Sequence, residues 1–354
     1  MRAILLLFDS LNLRALSCYG GGVPTPNFDR LAQRTTVFDR HFVGSMPCMP
    51  ARRDLMTGRY NFLHRSWGPL EPFDVTLTGL MAENGVHSHL VTDHYHYFRA
   101  GGATYHTAFT TWDFIRGQEA DPWDTRVEAP LSRILRDNHP DQVETKRGGF
   151  RLQGNLNRDR IRETPDFPCV KTFDAGLAFL DQNRGADGWF LQLETFDPHE
   201  PFHAPPEFRQ MFPTNYGGPT LDWPRYRRAG DETAEEAAEL RANYAALVAL
   251  CDAQLGRLLD VFDRGDLWDD TALIVTTDHG FLLGEHDWWG KNRMPFYNEI
   301  AHIPLMIHAP GQQGQARADA LSQNIDLTAT LLDLFGIDPP DTVLGRSLLP
   351  ALKG

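Results

Sequence analysis

Four strand-like runs organise the hydrophobic pattern, and each ends in a polar cluster. Ala3–Phe8 is continuously apolar and runs into Asp9-Ser10, and Thr271–Thr277 (TALIVTT) runs into Asp278-His279-Gly280. Trp189–Phe196 (WFLQLETF) is followed by Asp197-Pro198-His199-Glu200, and His87–Thr92 by Asp93-His94-Tyr95-His96. Continuous rather than alternating apolar runs are the mark of strands covered on both faces, as in a parallel sheet. In open α/β sheets ligands sit at the carboxyl edge, where all four acid and His clusters would then lie. Thr35–Val43 and Ile303–His308 read as further strands.

Between the strands the period changes to helical. Helices are predicted from the capped start at Thr25–Ala32, over Thr76–Asn84 ended by Gly85, over Lys171–Asn183, and over Ile325–Phe335 ended by Gly336. Thr233 and Glu236 form a capping box for a helix running to about Phe262. Its stripe Leu240, Tyr244, Leu247, Val248, Cys251, Leu255, Leu258, Leu259 and Phe262 reads as packing. The alternation predicts an α/β fold with a large, mostly parallel sheet flanked by helices. Gly101–Arg160 shows no clear period. It reads as an insertion over the carboxyl edge of the sheet, within a single domain spanning residues 1–354.

Charge and cysteine usage narrow the function. A formal net charge of -13 argues against non-specific nucleic-acid binding, so an anionic substrate needs a local basic pocket. The group Arg52, Arg53 and Arg59 would help supply one. Cys18, Cys48, Cys169 and Cys251 form no pair motif. No run reaches membrane-spanning length and no leader precedes the first strand, which leads to the expectation of a cytoplasmic protein.

The most informative stretch is Ser45–Arg59, SMPCMPARRDLMTGR. Pro50 suits the first turn of a helix, Ala51–Met56 reads as that helix, and Gly58 stops it. Cys48 would lie just ahead of the helix, where free N–H groups and the dipole favour an anion. Arg52 and Arg59 add forked donors suited to a tetrahedral oxyanion. A buried cysteine before an ordinary helix is the bland alternative. A tyrosine-phosphatase loop fails, because the position that needs Arg holds Asp54.

Cys48-Met49-Pro50-Ala51-Arg52 with Thr57-Gly58-Arg59 resembles the signature of the type I sulfatases, in the alkaline phosphatase superfamily. Asp9, Cys18-Tyr19-Gly20, Thr25–Ala32, Pro198-His199-Glu200-Pro201-Phe202, Asp278-His279-Gly280, Gly284-Glu285-His286, Gly290-Lys291, Ile303-Pro304-Leu305 and Gly345–Pro350 extend the resemblance along nearly the whole chain. It implies that Cys48 is oxidised to formylglycine by a formylglycine-generating enzyme and acts as nucleophile. It also implies one divalent metal on Asp9, Asp278, His279 and residue 48. Arg52 and Lys291 would stabilise the transferring group, and His199, or one of His94 and His96, would protonate the leaving alcohol. His94, His96, His286 and Arg59 would face the substrate. Ser10 stands where the family usually has a second Asp. With His279 this leaves Ca²⁺ first and Mn²⁺ second among candidate metals. The family's smaller C-terminal subdomain would be absent or truncated, and a neighbouring subunit could then complete the pocket.

The expected reaction is hydrolysis of a sulfate ester of a small molecule or saccharide, with neither nucleic acid nor membrane as partner. Phosphonate monoester or phosphodiester hydrolysis with the same nucleophile is the rival. A non-catalytic anion-binding member is the rival from another class.

Overall fold

The computed structural model describes every residue except 100, 101, 103, 313 and 354, together with the backbone alone of Lys353. The start of the 101–160 segment therefore lies partly outside the described residues. Eight strands form the main sheet: β1 Arg2–Phe8, β2 Thr36–Phe38, β3 His87–Thr92, β4 Thr111–Phe114, β5 Trp189–Thr195, β6 Thr271–Thr277, β7 Leu305–His308 and β8 Ala316–Ala318. Their spatial order is β8-β2-β7-β6-β1-β5-β3-β4. β1 lies between β5 and β6 and is parallel to both along its whole length, and β3 is parallel to β5 and β4. Among the described strands only β7 runs against its neighbours. The mostly parallel α/β sheet expected from the apolar runs is present, with the carboxyl ends of β1, β3, β5 and β6 side by side.

Alternate residues of β1 serve opposite layers, which is why the run is apolar throughout. Ile4, Leu6 and Phe8 pack with Phe173, Leu247, Cys251 and Leu258, from the helices Pro168–Gln182 and Ala234–Arg264. Ala3, Leu5 and Leu7 pack with Leu55, Met81, Leu327 and Leu331, from the helices Cys48–Thr57, Leu77–Glu83 and Asn324–Leu334. Each large side chain so buried contributes roughly 2 kcal/mol. The predicted Thr233–Glu236 capping box closes the start of the long helix.

Three elements differ from the sequence expectation. The Thr35–Val43 strand breaks after Phe38; His41 then pairs with Ser322 in a separate two-stranded ladder, its ring bonded to Ser322 and Asn324. The 101–160 segment contains β4, an edge strand of the main sheet, so it is not wholly an insertion. Its two helices, Leu131–Asp137 and Phe150–Asn157, share a small core of Ile134, Leu152 and Leu156, too short to leave a readable period. The helix of the cysteine stretch begins at Cys48 itself, with Pro47 as cap and the Ala51 N–H donating to the Pro47 carbonyl. It ends at Gly58 in the left-handed region (φ 63°), as the glycine predicted. Among the described residues no helix is long and apolar enough to cross a membrane.

Candidate active site

The turn after β1 is fixed from four directions. Ser10 has a left-handed backbone (φ 61°), held by its N–H bond to Asp278 Oδ1 at 3.0 Å. Its hydroxyl donates to Asp9 Oδ1 at 2.8 Å and accepts from Lys291 Nζ at 2.9 Å. Tyr244 Oη donates to the Ser10 carbonyl and accepts the Asn12 N–H, each at 2.8 Å. Asn12 in turn clasps the Phe281 backbone through both its N–H and carbonyl. The residue in place of a second carboxylate thus ties Asp9 to Lys291, and Tyr244 does more than pack.

Cys48 is brought to this turn by its helix. Its Sγ lies 3.4 Å from His279 Nε2, 3.6 Å from Lys291 Nζ and 3.7 Å from Asp9 Oδ1. The loop before the helix is set by Asp54, which accepts the Ser45 N–H and hydroxyl and the Asn61 N–H. Burial and the Asp9 charge push the Cys48 thiol well above its ordinary range. Lys291 is buried, yet the surrounding acid groups raise its affinity for a proton.

Asp9, Cys48, Asp278 and His279 bring four donor atoms within 4.8 Å of one another, all buried. The His279 Nδ1 nitrogen faces the Gly280 carbonyl at 2.9 Å and donates to it, which leaves the Nε2 lone pair for the cluster. Two carboxylates, an oriented imidazole and residue 48 fit a single divalent cation.

Arg52 differs from expectation. All five of its N–H groups are engaged: Nε and Nη2 on Glu194 Oε1 (3.0 and 2.7 Å), Nη2 on Asp9 at 2.9 Å, and Nη1 on Asp278 and the Cys48 carbonyl. It orients the carboxylates that face residue 48. Arg53 is also buried, forked on Asp74 at 2.9 and 2.6 Å. Arg59 lies 3.8 Å from Asp74 and 3.0 Å from His64 Nε2, on the flank of the loop. The basic group read from these three arginines is therefore mostly framework, and the positive charge beside Cys48 is that of Lys291.

The histidines divide. His94 is fully buried, 3.9 Å from Asp9 Oδ2, and neither ring nitrogen has a partner among the described residues. Its ring is 4.9 Å from that of His96, whose Nε2 lies 3.3 Å from Glu119. His199 points Nδ1 at the Glu200 carbonyl, 2.5 Å away, with the Glu200 carboxylate at 3.2 Å. Burial, then the Lys291 charge, hold its pKa well below the usual value. His286 is not brought to the cluster: its side chain is 41% exposed, bonded to Glu299 at 3.0 Å and stacked on Tyr297.

Several residues at the site carried no sequence signal. Glu194 anchors Arg52 and accepts from Tyr97 and Gln192. Glu119 and Glu200 group with His199 within 4.8 Å, and Tyr226 donates to Glu200. Behind them Gln118 bridges Asp93 and Asp197 at 3.2 and 3.1 Å, both carboxyls fully buried. Only Glu200 had a clue, its place beside His199 at a strand end.

A parallel sheet presenting a buried acid, His, Lys and Cys centre at its carboxyl edge defines a hydrolase of the alkaline-phosphatase-like fold. More narrowly, the chain belongs to the sulfatase family, whose profile matches residues 2–337, and it is thereby a sulfuric ester hydrolase, of a family that generally uses a metal ion and formylglycine. It is similar to the multifunctional alkaline phosphatase superfamily protein PehA of Trinickia caryophylli, 28% identical over 93% of this chain and 71% of that protein. N-acetylglucosamine-6-O-sulfatase of Bacteroides thetaiotaomicron is 24% identical over 99% of this chain and 70% of its own. In fold the chain matches the phosphonate monoester hydrolase of Agrobacterium radiobacter, with a TM-score of 0.75, 24% identity, and coverage of 100% of this chain and 77% of the other.

Proposed function

We propose that this chain hydrolyses a sulfate ester, of a small molecule or a saccharide, to sulfate and an alcohol, with the nucleophile derived from Cys48. The observation that carries this reading is the convergence on one buried sulfur of His279, Lys291 and Asp9, all within 3.7 Å. Hydrated formylglycine at position 48 supplies an oxygen nucleophile and an exit by collapse to the aldehyde. A divalent cation on Asp9, Asp278, His279 and residue 48 supplies Lewis acidity.

The remaining roles fall to the chain's own groups. Lys291 places a fixed cation where charge grows on the transferring group, in a water-poor site. His94 offers its unpartnered nitrogens to the same oxyanion. His199, with Nδ1 donating to the Glu200 carbonyl and the Glu200 carboxylate beside it, would in its protonated form give the departing alcohol a proton from Nε2. Arg52 acts as a positioning residue, because its donors are spent on Asp9, Asp278, Glu194 and the Cys48 carbonyl.

The donor set also supports a second reading, hydrolysis of phosphonate monoesters or phosphodiesters. A cluster of two carboxylates and an imidazole beside residue 48 serves attack on phosphorus as well as on sulfur, and one solved neighbour is named a phosphonate monoester hydrolase. Elemental analysis of purified protein separates Ca²⁺, favoured by family resemblance, from Mn²⁺, favoured by the imidazole donor.

The test is the mass of tryptic peptide His41–Arg52 from protein produced with a formylglycine-generating enzyme, read beside kcat/KM on aryl sulfates and phosphonates. Aldehyde or hydrate at position 48 with higher efficiency on sulfates is expected. An active protein with an unmodified thiol, or Cys48→Ala with unchanged activity, would overturn the nucleophile. Higher efficiency on phosphonates would select the second reading.

A further inference from the structure

Beside the reacting centre opens a cavity of about 410 Å³ whose two ends differ in charge. The inner end is formed by Glu119, Glu200 and Tyr226, the group that touches His199. The outer end carries Arg151, Arg225 and Arg293, with the buried ring of Trp223 beneath. Such a concentration of cations stands out on a chain of net charge -13.

These arginines are not spent as Arg52 and Arg53 are. Arg293 is exposed and has no ion pair among the described residues. Among the described residues the Arg151 guanidinium donates to the carbonyls of Trp223 and Pro224, at 2.9 and 3.0 Å, and lies over the Trp223 ring at 4.8 Å, while its backbone N–H donates to Glu144 Oε2. Arg225 reaches Asp141 at 3.7 Å, but that carboxylate is already held by Arg227 at 2.5 Å. Three guanidinium groups therefore face one opening without a matched carboxylate. The reacting group is held by Lys291 and the cluster around residue 48, so these arginines answer to a different part of the substrate.

We propose that this cavity is the leaving-group subsite, and that the alcohol part of the substrate carries a second anionic group, which Arg293, Arg225 and Arg151 bind. This rests on the reading of the centre as an ester hydrolase. The charge gradient sets the orientation. Glu119 and Glu200 disfavour an anion at the inner end but accept hydrogen bonds from hydroxyl groups near the ester. The arginines draw the anion to the outer end, where a forked donor suits a carboxylate or a sulfate. Such pairing at a partly exposed site weakens with salt.

The experiment compares nitrophenyl sulfate with the same ester bearing a ring carboxylate, in the metal-loaded, matured enzyme and its Arg293→Ala and Arg225→Ala variants. The measured quantity is the ratio of kcat/KM for the carboxylated ester to that for the uncharged one. Because each ratio is referred to the parent enzyme, differences in intrinsic ester reactivity cancel. Each variant is expected to lower the ratio about tenfold, and raising NaCl to lower it in the parent but little in the variants. Ratios within twofold of the parent in both variants would overturn the proposal. Calorimetric binding of the carboxylated nitrophenol alone is the second measurement. Binding that Arg293→Ala weakens, in a protein that cleaves neither ester, would support the subsite while refuting the hydrolase reading. Equal binding by parent and variants would overturn the subsite whatever the activity.

Discussion

Arg52→Met tests whether the guanidinium holds the centre together by balancing carboxylates. Asp9, Glu194 and Asp278 are each fully buried and each bonded to Arg52, with Lys291 the other cation beside Asp9. Removing one partner from a buried ion pair costs about 3–5 kcal/mol, because the remaining charge is left without compensation. For 354 residues the unfolding entropy is roughly 0.7 kcal/mol/K, at about 2.1 cal/mol/K per residue, so the melting temperature should fall by roughly 4–7 °C. Adding Glu194→Gln to the Arg52→Met variant should return part of that loss, since the amide removes an unpaired charge and still accepts from Tyr97. In the parent the same change should destabilise, because it takes an acceptor from Arg52. Scanning calorimetry of the four proteins, with chelator and with saturating divalent cation, reads this cycle. The loss should be smaller with cation, which compensates Asp9 and Asp278. A melting temperature unchanged in Arg52→Met, or additive effects of the two substitutions, would refute the charge-balance reasoning.

Lys291→Met should lower kcat by about 10²–10³, since its ammonium sits 3.6 Å from Cys48 Sγ, with metal content as the control. An unchanged kcat would remove Lys291 from the reaction. His199→Gln should cost far more kcat/KM on alkyl than on nitrophenyl sulfates, because only a poor leaving group needs the proton; equal losses along the series would deny it the acid role. Asp197→Asn bears on stability rather than turnover. Burial raises the Asp197 carboxyl from 3.8 to about 7, so the folded protein holds a proton that the unfolded chain gives up. That contribution is full below about pH 4 and is lost as pH rises through about 7, on the order of 4 kcal/mol across the window. Denaturant titrations should show the variant with a flatter profile there and higher stability than the parent at pH 8. A profile matching the parent's would show that Asp197 is not the group responsible.

What the sequence made legible was the part of the site encoded locally. Asp9, Asp278 and His279 could be placed because each follows an apolar run whose end must fall at the sheet's carboxyl edge. Cys48 could be placed because a proline and a glycine bracket its helix. The misread residues depend on pairings across the fold. Arg52 and Arg53 carry the same charge one position apart, yet each finds a different buried carboxylate, and no local pattern announces Glu194 or Asp74 as the partner. Tyr244 fits a helical stripe and is indeed packed, but its hydroxyl reaches the Ser10 turn 234 residues away in sequence. Glu119 lies in the segment with no readable period, because short helices around a three-residue core leave no repeat to detect.

The two halves of the site are built on different kinds of element, and that bears on specificity. The reacting centre sits at the ends of central strands and the first turn of a helix, pinned by buried bonds among Ser10, Asp278, Arg52 and Tyr244. A substitution there disturbs several partners at once. The cavity beside it draws its wall from loop and short-helix residues, Glu119, Arg151, Trp223 to Tyr226 and Arg293, where backbone changes are accommodated more easily. One centre can thus accept different alcohols by exchange of wall residues without losing its charge balance. If that cavity is the leaving-group subsite, the arginines at its outer end are the wall residues whose exchange would change which alcohol is accepted.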